Sequence, residues 1–210
     1  MAYTDDVAQG LSFLHQLRPK IFHRDVKPAN ILLCHSSGSR PPRAKLADFG
    51  VAKVLESEAS SAGTATFVGT PHYLSPEVFS GETYDEKADA WALGCVVYEM
   101  LCLCRPFHLA ESNVALMATR ICQGQYDQEL LRTRNYRESL LRTVIGLLTL
   151  ERTSRFSATE VAGALGEVGE VTDPSCWEPL PLDEPVESED SWRGARVATD
   201  SSSAQSVVEL

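Results

Sequence analysis

Within eight residues, His23-Arg24-Asp25-Val26-Lys27-Pro28-Ala29-Asn30, the chain presents a carboxylate, an ammonium and a side-chain amide. That set suits phosphoryl transfer. A carboxylate can take the proton of an attacking hydroxyl, a lysine can neutralise charge on the moving phosphoryl, and an amide oxygen can hold magnesium. A second carboxylate, in Asp48-Phe49-Gly50, follows Asn30 by 18 residues. Magnesium is a hard cation and seeks such an oxygen beside those of a phosphate. Alone, Asp-Phe-Gly reads more readily as a mere turn, since Asp and Gly both suit one.

These residues need elements to position them. Ile21-Phe22 and Ile31-Leu32-Leu33 are apolar runs too short for helices, and they read as small strands on either side of the reactive loop. Turn residues from Cys34 to Arg43 (Ser36-Ser37-Gly38-Ser39, Pro41-Pro42) lead into a second short apolar segment, Ala44 to Ala47, which predicts a hairpin. Upstream, Val7, Leu11, Leu14 and Leu17 recur at helical spacing. Asp85 to Leu103 is apolar nearly all round, with Ala88, Trp91, Ala92, Cys95, Val96 and Met100, and this predicts a central buried helix. Helices are also expected over 111–122, 138–150 and 157–165. Residues 57–66, small and hydroxyl-rich without periodicity, read as a mobile loop.

Charge is unevenly placed. Residues 1–164 hold 18 acids and 17 bases, whereas 165–210 hold 11 acids and 2 bases, so most of the formal charge of −10 belongs to the tail. A nearly neutral 1–164 offers no basic footprint for nucleic acid. The longest apolar run, Trp91 to Cys104, has 14 residues and includes Glu99, short of the roughly 20 needed to span a bilayer. Met1 leads straight into Tyr3-Thr4-Asp5-Asp6 with no signal-like apolar stretch, and a cytoplasmic location is the default expectation. Six cysteines show no CxxC spacing; reduced thiols are expected, and no metal site built on Cys102 and Cys104. Prolines, acids and Ser201-Ser202-Ser203 mark 166–210 as a disordered tail beside a folded domain over 1–165.

HRDVKPAN, DFG, then GTPHYLSPE at 69–77 and DEKADAWALGCVVYEM at 85–100 resemble the ordered landmarks of protein kinases. The wording of the last two is most similar to the NIMA-related serine/threonine kinases. The resemblance implies the C-terminal lobe of a protein kinase over 1–165, mainly α-helical with a pair of short β-hairpins around the catalytic loop. It also implies ATP and Mg2+ as cofactors, protein substrates phosphorylated on Ser or Thr, and an activating kinase as a further partner.

Residue by residue, the resemblance makes Asp25 the catalytic base, Lys27 the phosphate-neutralising lysine, and Thr70 the link between them. Asn30 and Asp48 would hold magnesium, and Leu32 would lie under the adenine. His23 and Phe49 would join a stack of side chains that assembles in the active state, and Asp89 would brace the loop from the central helix. Glu77 would pair with Arg155. Arg24 would receive a phosphate placed on the loop between Asp48 and Glu77, with Thr66 the first choice of site and Thr64 the next.

Two positions depart from the family wording, His72 in place of an aromatic residue and Ser75 in place of alanine, neither touching the transfer chemistry. No Gly-rich loop, strand lysine or helix glutamate of an N-terminal lobe is found in the sequence, so this chain by itself is expected to transfer little phosphate. The alternative expectation is a noncatalytic C-lobe acting as a scaffold or competing for substrates. Leu32 and Phe49 would then expose apolar surface.

Overall fold

Seven residues before His23, an amphipathic helix ends. The computed structural model describes residues 2–34, 42–48, 53–54, 71–108, 113–134 and 136–166, omitting the side chains of 53, 54, 165 and 166. The loop at 57–66, the insert at 36–41, Phe49, Thr64, Thr66, Thr70 and the tail from 167 lie outside the described residues. The chain divides into two units, 1–169 and 170–210, and everything below concerns the first.

Helix α1 (Ala2–Gln16) buries Val7, Ala8, Leu11 and Leu14, the phase that its apolar spacing predicts. It runs into β1 (Ile21–Phe22), which pairs antiparallel with β4 (Lys53–Val54). Strands β2 (Ile31–Cys34) and β3 (Arg43–Leu46) pair antiparallel with Ile31 opposite Leu46 and Cys34 opposite Arg43. This β2–β3 hairpin lies on α1. Gly10 allows the approach, since a Cβ there would stand 3.3 Å from Leu46 Cδ1. The Asp6 carboxylate of α1 accepts the Ala44 N–H at 2.8 Å and meets the Arg43 guanidinium.

After a 3₁₀ turn (Pro71–Tyr73) and the short α2 (Pro76–Phe79) comes α3 (Glu86–Cys102), the centre of the fold. Asp85 caps it by accepting the Lys87 N–H at 2.9 Å. Trp91, Leu93, Val97 and Tyr98 of α3 are all essentially inaccessible to solvent. Each such side chain contributes about 1.5–3 kcal/mol by leaving water. The helix stops at Leu103, which adopts the left-handed conformation (φ 58°) that usually takes glycine.

Around α3 pack α5 (Gln128–Thr133), α6 (Glu138–Leu147) and α7 (Ala158–Gly166), while α4 (Val114–Cys122) packs against α2. Asn113 and Asp127 cap α4 and α5, and Ser157 with Glu160 forms a reciprocal capping box at α7. Close contact between α3 and α6 depends on Gly94, whose added Cβ would meet Leu147 Cβ at 2.8 Å. Stacking of Trp91 on Phe107 (6.1 Å, 8°) and an edge contact of Tyr98 with Tyr126 (5.7 Å) complete the core around α3. Among the described residues no helix is long and apolar enough to cross a membrane.

Candidate active site

The loop between β1 and β2 runs from a fully buried residue, His23, to a buried one, Asn30. Its last three residues, Pro28–Asn30, form a 3₁₀ turn, for which Pro28 supplies a fixed φ at the first position. Within the loop Arg24 takes φ 68°, a left-handed conformation that costs a residue with a Cβ about 1–2 kcal/mol. That step is held from below. The Asp89 carboxylate, at the first turn of α3, accepts the His23 N–H through Oδ2 and the Arg24 N–H through Oδ1, each at 2.9 Å.

Asp25 follows immediately. Its Oδ2 stands 2.7 Å from Lys27 Nζ, and Asn30 Nδ2 donates to the same Oδ2 at 2.9 Å and to the Asp25 carbonyl at 2.8 Å. The carboxylate is therefore fixed by one ammonium and one amide. With Nδ2 so engaged, Asn30 keeps its Oδ1 as the atom that can meet a cation. Asn30 also accepts the Ala47 N–H on its carbonyl at 2.9 Å, which ties the end of β3, and with it Asp48, to the loop. Asp48 is exposed and takes φ 61°. His23 adds a second tie, its Nε2 donating to the Ala47 carbonyl at 3.1 Å while Nδ1 faces the Asp25 N–H at 3.4 Å.

The oxygen donors fit magnesium. Among the described residues no group of three or more His, Cys, Asp or Glu stands ready to hold a metal unaided. Magnesium does not require one, because it keeps several waters and binds through one or two carboxylates together with substrate phosphates. Asp48 and the Asn30 oxygen match that demand.

Arg24 lies with its guanidinium 5.2 Å from the centre of the Tyr84 ring, and its Nε is buried without a hydrogen-bond partner among the described residues. Leu32 is 52% exposed and Leu33 53%, so β2 presents two neighbouring leucines to solvent. Glu77 and Arg155 form a buried bidentate pair behind the loop. The Arg155 guanidinium also donates to three carbonyls, those of Lys87, Thr149 and Leu150, and sits 4.9 Å from the centre of the Trp91 ring. Burial alone would raise the Glu77 carboxyl, but the hydrogen bonds and charge of Arg155 outweigh it and hold it below the ordinary carboxyl range.

Two residues in contact with this machinery escaped the sequence reading. The Tyr84 hydroxyl donates to Asp89 Oδ1 at 2.6 Å, and burial together with the Asp89 charge pushes that hydroxyl well above its usual range, so the proton stays in place. His15 Nε2 lies 2.8 Å from Asp89 Oδ2. The available signal was a polar residue, His15, falling on the same buried phase of α1 as Ala8 and Leu11.

The family described as protein kinase domain matches residues 1–164, and the chain belongs to that family. Among its relatives is the probable serine/threonine-protein kinase nek2 of Dictyostelium discoideum, 36% identical over 143 residues, covering 68% of this chain and 31% of that protein. The serine/threonine-protein kinase Nek2 of Mus musculus is 38% identical over 141 residues, 67% of this chain and 29% of the relative. Nek5 of Homo sapiens is 40% identical over 120 residues, 57% of this chain and 16% of the relative. The chain spans less than a third of the length of each of these relatives.

Proposed function

We propose that this chain carries the catalytic loop of a serine/threonine protein kinase, which transfers the γ-phosphoryl group of ATP to a Ser or Thr hydroxyl of a protein. The observation that supports it most is the Asp25 carboxylate held between Lys27 Nζ (2.7 Å) and Asn30 Nδ2 (2.9 Å). In this reading Asp25 orients the substrate hydroxyl and takes its proton as the hydroxyl oxygen bonds to the γ-phosphorus and the bond from that phosphorus to the bridging oxygen breaks, releasing ADP. Lys27 neutralises charge on the transferred group. Asn30 and Asp48 would hold Mg2+, which when bound with ATP neutralises the phosphates. Leu32 offers an apolar surface for the adenine, and Thr70 would connect Asp25 with Lys27. A phosphate on Thr66 or Thr64 would find Arg24, whose Nε has no hydrogen-bond partner among the described residues.

The test is transfer of labelled phosphate from Mg2+-ATP to a generic protein substrate by the wild-type chain and by Asp25→Asn and Asp48→Asn. Activity that depends on both carboxylates supports the reading, and activity indifferent to both removes it. The exposed Leu32 and Leu33 favour one other reading, a noncatalytic module that binds partners through β2. A wild-type chain that transfers no phosphate yet competes with a related kinase for its substrate would select it.

A further inference from the structure

Two polar atoms beside the reactive loop are shut away from solvent without a hydrogen-bond partner among the described residues: Nε of Arg24 and Oγ of Ser75. One belongs to the loop before β2 and the other to the entry of α2, yet both residues line the same small pocket, which Asp25 and Tyr84 also border. The pocket measures about 10 Å³, counted as room for the centre of a water molecule. On that measure a single water needs about 10–15 Å³, and it needs two to four polar partners.

Ser75 holds the position before the first turn of α2, where a serine ordinarily turns its oxygen onto an N–H of that turn. Here it does not: no side-chain hydrogen bond caps α2, and Ser75 is 1% exposed. The Glu77 carboxylate feels the Ser75 hydroxyl, but its two oxygens are committed to Arg155 and neither stands in bonding geometry to Oγ. Arg24 is constrained as well. Its backbone N–H is held by Asp89, and its guanidinium lies 5.2 Å from the centre of the Tyr84 ring. A guanidinium N–H can only donate, whereas a hydroxyl both donates and accepts. The two atoms do not meet directly, so a molecule that accepts from one and bonds the other is what the pair lacks.

We propose that this pocket is a binding site for one structural water, which accepts the Arg24 Nε–H and donates to Ser75 Oγ. The Tyr84 hydroxyl, whose own proton goes to Asp89, keeps lone pairs for the water's second proton. The bridge joins the reactive loop to the start of α2. Since Glu77, two residues on from Ser75, is clamped by Arg155, the water ties Arg24 and the adjacent Asp25 to a fixed part of the fold. Only the inner nitrogen of the guanidinium is used, which leaves Nη1 and Nη2 for the loop phosphate proposed above.

The 210-residue chain tests the site without any measurement of phosphate transfer. A high-resolution crystal structure should show an ordered water within about 2.7–3.2 Å of both Arg24 Nε and Ser75 Oγ. In solution the Arg24 Hε signal should give a rotating-frame Overhauser cross-peak to a long-lived water. Exchange of that Hε with solvent should be about 10-fold faster in Ser75→Ala, with α6 amide exchange unchanged. A pocket that holds no ordered water, or an Arg24 Nε bonded directly to another protein group, overturns the inference. A Ser75→Ala chain that keeps the same water and the same Hε exchange overturns it too, because Ser75 would then hold nothing. Should Ser75→Ala not fold, the wild-type crystal structure and cross-peak decide alone. A wild-type chain that transfers no phosphate removes the kinase reading and leaves this one standing.

Discussion

Arg155 and Glu77, 78 positions apart in sequence, meet in a two-armed ion pair, Nη1 to Oε1 at 2.6 Å and Nη2 to Oε2 at 2.9 Å. Both side chains are almost wholly removed from water. All five guanidinium N–H groups of Arg155 find acceptors, two on Glu77 and three on backbone carbonyls. The pair thus clamps α2 and the segment entering α7 onto the first turn of α3.

Breaking that pair from one side leaves a charge buried and unmatched. Arg155→Leu should destabilise the domain by about 3–5 kcal/mol, more than removal of an exposed ion pair such as Lys20–Glu86, worth about 0–1 kcal/mol. Urea denaturation followed by circular dichroism measures both.

Acid should act on the same pair. Since the folded-state Glu77 carboxyl is held below its ordinary value of 4.5, its contribution is fully present above that value and is lost as pH falls through the lowered one. Between pH 5 and pH 3 the urea midpoint of the wild type should therefore fall more steeply than that of Glu77→Gln. Parallel pH dependences would show that Glu77 does not titrate against Arg155.

Glycines make an opposed pair of expectations. A Cβ on Gly146 would lie 2.3 Å from Phe156 Cδ2, whereas one on Gly163 meets nothing within 4 Å. Gly146→Ala should cost about 1–3 kcal/mol through overpacking. Gly163→Ala, on the exposed face of α7, should gain about 0.5–1 kcal/mol from helix propensity. Thermal melts of the two variants should move in opposite directions.

Tyr84→Phe keeps the ring beside Phe22 and removes one donor from the buried Asp89. A loss of about 1–3 kcal/mol is expected, the cost of leaving a buried acceptor short of a partner. Equal stability of the two proteins would mean that the Tyr84 hydroxyl does not support Asp89.

Much of this could be read from local pattern. The all-round apolar character of Trp91 to Val97 marked a central helix, and α3 is that helix. The apolar runs flanking His23 to Asn30 became β1 and β2, because runs of two to four residues leave no room for a helical face. What local pattern missed has a common cause. Helix α5, only six residues long, buries the single side chain Leu131 and so shows no periodicity, although Asp127 caps it. Tyr84 and His15 meet Asp89 from 5 and 74 residues away. Nothing in spacing along the chain announces that two side chains and two backbone amides share one carboxylate; the convergence of His15 on Asp89 is made by the packing of α1 against α3.

The central claim is that Asp25, fixed by Lys27 and Asn30, accepts the proton of a protein hydroxyl. Phosphate transfer from Mg2+-ATP, compared between wild type and Asp25→Asn at matched folded concentrations, tests it most directly. Loss of the general base should lower kcat by about 10²–10⁴-fold with little change in stability. An Asp25→Asn chain that transfers phosphate as fast as the wild type would contradict it.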